Sequence, residues 1–275
     1  MAAHPESSGY AGGHVALLQL IWGEGFLSPG GPAEVERILE GVDLAGKRVL
    51  DIGCGIGGLD RLIAERYTVA EVVGIDVEEP LVDEARRATE GSAVADRVRF
   101  ELVEPGPLPF ADGSFDIVFS KDSILHIPDK GALARDVYRI LTPGGVFAAS
   151  DWMTGREGEP TEEMKRYLEA EGLGFIMATQ AQYRSALEAA GFESVAFVDR
   201  NAWYRDLAAE EQASLAGPLR DTIVAQTDET FLEEQLEVWR TMRIVLDSGE
   251  LRPTHVRAEK PAADVAATVA GGSTR

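Results

Sequence analysis

From Lys47 onward, apolar stretches of strand length alternate with stretches of helical period. KRVLDIG (47–53) is an apolar strand running into glycines, and LDRLIAERY (59–67) spaces its apolar residues as an amphipathic helix. EVVGID (71–76) is a second strand, and EPLVDEARRATEG (79–91) is a helix with a glycine stop. RVRFELVE (97–104) alternates like a strand, and SFDIVFSKD (114–122) is a fourth. KGALARDVYRIL (130–141) is a helix stopped by Pro143-Gly144-Gly145, and VFAASDW (146–152) is a fifth strand. Strands alternating with helices imply a parallel sheet covered on both faces.

The flanks have a different texture. The apolar stretch within residues 10–25 predicts a short helix, FLSPGGP (26–32) a turn-rich link, and residues 33–39 a second helix. Residues 10–44 are therefore read as a helical lid on a main domain spanning 45–261. Within that domain, 160–172 and 179–191 are helical and FESVAFVDR (192–200) is a sixth strand. Residues 205–248 are mostly helical and charged, and read as a cap inserted at about 201–250. SGELRP is a turn before a short final strand, 254–261. Residues 1–9 are small and polar, and 262–275 are rich in Ala, Gly and Ser; both are expected to be disordered.

Charge narrows the partners. The 47 acidic residues outnumber the 26 basic ones, a formal charge of −21 that repels a phosphate backbone and an anionic membrane surface. A small molecule is the expected partner, with neither nucleic acid nor membrane. The single cysteine, Cys54, rules out an intramolecular disulfide. The N-terminal residues lack the pattern of a signal peptide, and the apolar stretches fall short of a membrane span, so a cytoplasmic protein is expected. At 275 residues and 45 % hydrophobic content, the core suffices to shape a closed pocket.

VLDIGCGIGG (49–58) carries the most chemistry. Gly53, Gly55 and Gly58 form G-x-G-x-x-G between a strand and a helix, where glycines let a ligand approach the backbone. Asp76 closes the next strand, where an acid accepts hydrogen bonds from ribose hydroxyls or else caps a helix. NAD and S-adenosylmethionine both suit such a site. Asp51 favours the second, because a carboxylate repels a pyrophosphate and attracts the ammonium of a methionyl group. Two further segments follow in order: LPFADGSFD (108–116) before the fourth strand and LTPGG (141–145) before the fifth.

Together these segments resemble class I S-adenosylmethionine-dependent methyltransferases over roughly residues 45–200. The resemblance implies a Rossmann-like seven-stranded α/β sheet, its last strand antiparallel, with helices on both faces. It implies S-adenosylmethionine as methyl donor and S-adenosylhomocysteine as product. Asp51, Gly53 and Gly55 would hold the methionyl part, Asp76 and Val77 the ribose, and Glu104-Pro105 the adenine. The family more often has Asp-Ala at that last position.

FSKDSILHIPDK (119–130) lies at the C-terminal end of the fourth strand, where open α/β sheets bind ligands. Asp122 and His126 are four apart and would share a face on a helical turn. Histidine suits proton transfer near neutrality, although a structural histidine reads the same way. Residues 10–32 and 119–130 resemble the phosphoethanolamine N-methyltransferase group in Tyr10, Gly23-Glu24 and FLSPGG (26–31). The resemblance implies a latch of Tyr10 and His126, with His126 assisting deprotonation. It also implies Asp122 on the acceptor, and Ser28 and Lys121 at the cofactor.

One departure stands out. That group grips a substrate phosphate with an Arg and a Tyr ahead of the helix matching 179–191; here the stretch reads Glu171-Gly172-Leu173-Gly174-Phe175. Trp152 stands where a Tyr is usual, and Arg243 is the remaining candidate for a phosphate-binding cation. Trp203, Tyr204 and Trp239 are candidate cavity walls for a methylated cation. The expected activity is methyl transfer to a small-molecule amine, phosphorylated or not, by a monomer or homodimer. No residue set has metal-ligand spacing, so no metal is expected. A sulfur or oxygen methyltransferase, and a non-catalytic cofactor-binding protein, stay open as alternatives.

Overall fold

The computed structural model describes residues 12–263. Its seven strands are β1 (Arg48–Ile52), β2 (Glu71–Asp76), β3 (Val98–Leu102), β4 (Phe115–Lys121), β5 (Leu141–Thr154), β6 (Glu193–Asp199) and β7 (Leu251–Glu259). They form one sheet in the order β3-β2-β1-β4-β5-β7-β6. β1 to β5 pair in parallel, while β7 runs antiparallel to both β5 and β6. This is the sheet of class I methyltransferases.

Successive residues of the central strands supply opposite faces, as the period of two requires. Val49, Val72 and Ile117 join α2 (Gly31–Ile38), α3 (Gly58–Arg66) and α4 (Glu79–Thr89) on one side. Leu50, Val73 and Val118 join α5 (Lys130–Ile140) and α7 (Gln180–Ala190) on the other. A third core lies beyond the sheet's end. There α1 (Gly12–Trp22) and α6 (Glu162–Glu171) pack with α8 (Asn201–Ala216), α9 (Arg220–Gln226) and α10 (Glu229–Ser248) around Tyr204, Trp239, Val245 and Leu246. The segment read as one lid is thus divided: α1 belongs to the cap core and α2 to a sheet face.

Two local expectations need correction. LTPGG interrupts β5 without preceding it: the β4 register passes from Phe115↔Leu141 to Ile117↔Val146, so the extra residues loop out as a bulge. Pro143 has no N–H for the ladder, and the Gly144 N–H instead reaches the Lys260 carbonyl at 2.9 Å. The final strand starts at Leu251 instead of 254, directly after Gly249 turns the chain out of α10 at φ 73°.

Glu34, 3 % exposed, ties the N-terminal helices to the far edge of the sheet. Arg200 donates to both of its oxygens, at 2.8 and 2.9 Å, and His255 Nε2 lies 2.7 Å from Oε1. Burial pushes this carboxyl up, but the hydrogen bonds from His255 and Arg200 outweigh it and hold the pKa at about 2. The depressed value makes the stabilisation complete above pH 4.5 and progressively lost as pH falls toward 2. Glu34→Ala leaves two donors unpaired and should cost about 3 kcal/mol in urea unfolding at pH 7. The gap between variant and wild type should narrow at pH 3; an unchanged gap would refute the assignment.

Candidate active site

β1, β2, β4 and β5 are parallel, so their C-terminal ends lie at one end of the sheet. After β1 the chain turns through Gly53, whose φ of 79° brings it against Ser123; a Cβ there would lie 2.3 Å from the Ser123 Cβ. The Ile75 carbonyl accepts from the N–H groups of Gly53 at 2.8 Å and Cys54 at 3.0 Å. Asp76 completes the turn: Oδ2 accepts from Gly55 N–H at 2.9 Å, and Oδ1 from Val77 at 2.8 Å and Glu78 at 3.0 Å. A carboxylate offers about four acceptor positions, so Asp76 braces the glycine loop with roughly one to spare for a ligand.

The third glycine serves a different contact. A Cβ on Gly58 would stand 1.9 Å from the Gly25 carbonyl oxygen, so the link between α1 and α2 crosses the start of α3 at backbone distance. The same link lays Leu27 over Gly55 and brings Ser28 to Lys121, whose Nζ donates to Ser28 Oγ at 2.8 Å. Beneath the loop, Asp51 and Asp60 are fully buried, and the two carboxyls share a hydrogen bond, with a further backbone bond to Asp60. Burial pushes both pKa values up, and the charge of Asp60 raises Asp51 further. A cationic donor is what this pair lacks.

Lys121 and Asp122 end β4. Lys121 Nζ also reaches Asp122 Oδ2 at 2.7 Å, and Ser150 Oγ donates to Oδ1 at 2.9 Å. Asp122 has φ 56°, so the chain reverses there before a short 3-10 turn, Ile124–His126. Asp122 and His126 therefore do not share an α-helical face; the kink, not helical spacing, brings both to one cavity. Lys130 Nζ pins the turn by donating to the carbonyls of Ile124, Ile127 and Ile176. Asp151 accepts from Leu125 N–H at 2.9 Å and from the Tyr183 hydroxyl, while burial pushes its carboxyl up to about 7. The His126 ring lies edge-on to Phe175 at 5.3 Å and bonds to the Leu173 backbone. Burial and then the charge of Lys130 hold its pKa below 6.5, so it is neutral at pH 7.

Asp122, His126, Ser28 and Trp152 line a cavity of ≈ 70 Å³ with Trp22, Tyr204 and Trp239. One water needs roughly 10–15 Å³ on this measure, so there is room for a handful of such groups.

The methyltransferase-domain family model matches residues 43–199. The chain belongs to the methyltransferase-domain family. It is 38 % identical over 181 residues to phosphoethanolamine N-methyltransferase 1 of Triticum aestivum, covering 66 % of this chain and 35 % of that protein. A second phosphoethanolamine N-methyltransferase of Triticum aestivum is 33 % identical over 239 residues, 86 % of this chain and 46 % of that one. The chain thus spans less than half the length of these curated relatives. Among solved structures, Haemonchus contortus phosphoethanolamine N-methyltransferase 2, in complex with phosphomonomethylethanolamine and S-adenosylhomocysteine, superposes with a TM-score of 0.81. It is 26 % identical; the match covers 90 % of this chain and 57 % of that one.

Within this methyltransferase domain, the other sequence-predicted residues scatter. Glu104 and Pro105 are exposed in the loop after β3, and Val77 is exposed after β2. Arg243 is corrected: it lies outside the cavity lining, donates to Gln212 at 2.6 Å and lines a separate surface groove between α8 and α10. Trp203 is also outside; Arg200 stacks on its ring at 4.6 Å. Tyr10 lies outside the described residues. Sequence reasoning missed Glu171 as a cavity group and Glu211 altogether. Glu211 follows Tyr204 by two helical turns, a spacing that marks the buried face of α8. Among the described residues, no group of three or more His, Cys, Asp or Glu could hold a metal ion, and no helix is long and apolar enough to cross a membrane.

Gly58→Ala should displace the Gly23–Ser28 link. Overpacking against backbone costs about 1–3 kcal/mol. Thermal unfolding should show that loss, and calorimetry should show S-adenosylhomocysteine affinity weakened by roughly tenfold or more. Unaltered affinity would mean the link does not shape the cofactor site.

Proposed function

We propose that this chain transfers the methyl group of S-adenosylmethionine to the nitrogen of a small amine. The observation that carries the reading is His126, held neutral by burial, beside Asp122 in a small aromatic cavity adjoining the glycine loop. The residues present fit the methyl donor. The buried Asp51 carboxyl, two residues before Gly53 at the end of β1, suits the methionyl ammonium. Asp76 and Val77 would take the ribose, Glu104-Pro105 would flank the adenine, and Ser28 and Lys121 would close over the sulfonium end. When bound, the donor supplies an electrophilic methyl carbon whose transfer leaves S-adenosylhomocysteine.

The chain's own contribution is deprotonation, orientation and dryness. An acceptor ammonium cannot attack until it gives up a proton, and the neutral His126 ring accepts it before releasing it to solvent. Asp122, fixed by Lys121 and Ser150, orients the amine and balances the positive charge left on the methylated nitrogen. Trp22, Trp152, Tyr204 and Trp239 exclude water and present ring faces and edges to that cation. Tyr10, by the resemblance noted above, would close the cavity by pairing with His126.

His126→Ala should lower kcat for the preferred amine by about 10²–10⁴-fold, the usual worth of general-base catalysis, with S-adenosylhomocysteine affinity retained. Formation of S-adenosylhomocysteine across a panel of amines, thiols and phenols measures this. Turnover confined to thiols or phenols would replace nitrogen by another acceptor atom. Turnover indifferent to His126→Ala would remove the base from the mechanism.

A further inference from the structure

The cavity's polar groups are arranged against an anion. Three of its ring donors are already engaged: Trp22 Nε1 donates to Glu211 Oε1 at 2.6 Å, and Trp239 Nε1 and Tyr204 OH to Oε2 at 3.0 and 3.2 Å. Of the described residues lining it, only His14 and His126 can carry positive charge, and burial draws both pKa values down. The Lys121 ammonium lies outside the lining, shared between Ser28 and Asp122. Among the described residues, two carboxyls line the cavity, Asp122 and Glu171. Asp122 has its donors, whereas Glu171 has no hydrogen-bond partner among the described residues. Burial alone pushes the Glu171 carboxyl up to about 7. Glu171 is also the last residue of α6, where the helix presents unpaired carbonyls and the negative end of its dipole.

A phosphomonoester placed here would meet an acidic side chain and a helix C-terminus, and no described lining residue brings a full positive charge to offset them. A hydroxyl or ammonium would meet a half-buried acceptor to which no described residue donates. We propose that Glu171 sets the acceptor class: the cavity takes an unphosphorylated amine whose far end is a hydroxyl or a second ammonium donating to Glu171. This rests on the N-methyl reading above. It separates this chain from its phosphoethanolamine-methylating relatives at the far end of the acceptor and leaves the reacting end shared.

The test compares phosphoethanolamine, ethanolamine and ethylenediamine as acceptors for wild type, Glu171→Gln and Glu171→Arg. Binding of S-adenosylhomocysteine to each protein controls for folding. In the wild type, kcat/KM should favour one of the unphosphorylated amines by about tenfold or more. Glu171→Gln keeps shape but loses charge, and should raise KM for the preferred amine roughly tenfold while kcat moves less. Glu171→Arg should shift the preference toward phosphoethanolamine. Wild-type preference for phosphoethanolamine, or a KM unmoved by Glu171→Gln, overturns this inference and leaves N-methylation standing. No turnover of any amine by a protein that still binds S-adenosylhomocysteine overturns both.

Discussion

A carboxylate taken out of water must find its donors inside the protein, and the way this chain supplies or withholds them sorts its buried acids. Glu34 receives Arg200 and His255 and is held ionised far below the ordinary range. Asp151 and Glu211 receive only neutral donors: a hydroxyl and a backbone N–H for the first, two indoles and a hydroxyl for the second. Their carboxyls stay above the ordinary range, because burial outweighs what neutral donors return. Asp51 and Asp60 have chiefly each other, and Glu171 receives no hydrogen bond from the described residues. These last lie beside the glycine loop or on the cavity, and their unmet need is concentrated where a ligand would dock.

The cleft exists because the cap and the sheet are fastened at a few close contacts around it. The Gly25–Gly58 crossing lays the N-terminal link over the glycine loop, and Lys121 ties that link to the end of β4. Glu34 anchors the following helix to β7 and to the residue preceding α8. Lys130 and Asp151 then fix the turn carrying His126 against the 173–177 segment. Each fastening joins parts far apart in sequence, so the cavity forms only when the third core has packed onto the strand ends.

This distribution explains what could be read from the sequence. The β1–β4 strands, the helices between them and the glycine loop are local patterns, and they stand within a residue or two of their expected bounds. The bulge in β5 looks like a plain turn, because Pro and Gly mark a break in extended chain equally well on either side of a strand's start. Asp122 and His126 were legible as partners but not as geometry, since a left-handed aspartate leaves no trace in helical spacing. Arg243 shows the limit of position by resemblance: its helix is the expected one, but its side chain faces a surface groove. Glu171 is legible only as a missing cation, because what half-buries a helix's last residue depends on tertiary packing that spacing does not record.

Glu171 and Glu211 show why burial alone does not identify a binding group. Both are glutamates in the cap, and burial raises both. Glu211 takes three hydrogen bonds from Trp22, Tyr204 and Trp239, so it is spent on fixing the walls of the cavity. A ligand approaching it would have to displace donors that the core already holds in place, at a cost of about 1–3 kcal/mol for each group left unpaired. Glu171 has nothing to displace. A donor reaching it adds a hydrogen bond without breaking one held by the described residues, so its interaction energy goes to recognition. The aromatic rings held by the first glutamate give the acceptor's cation its surroundings, and the second is left free to choose among acceptors.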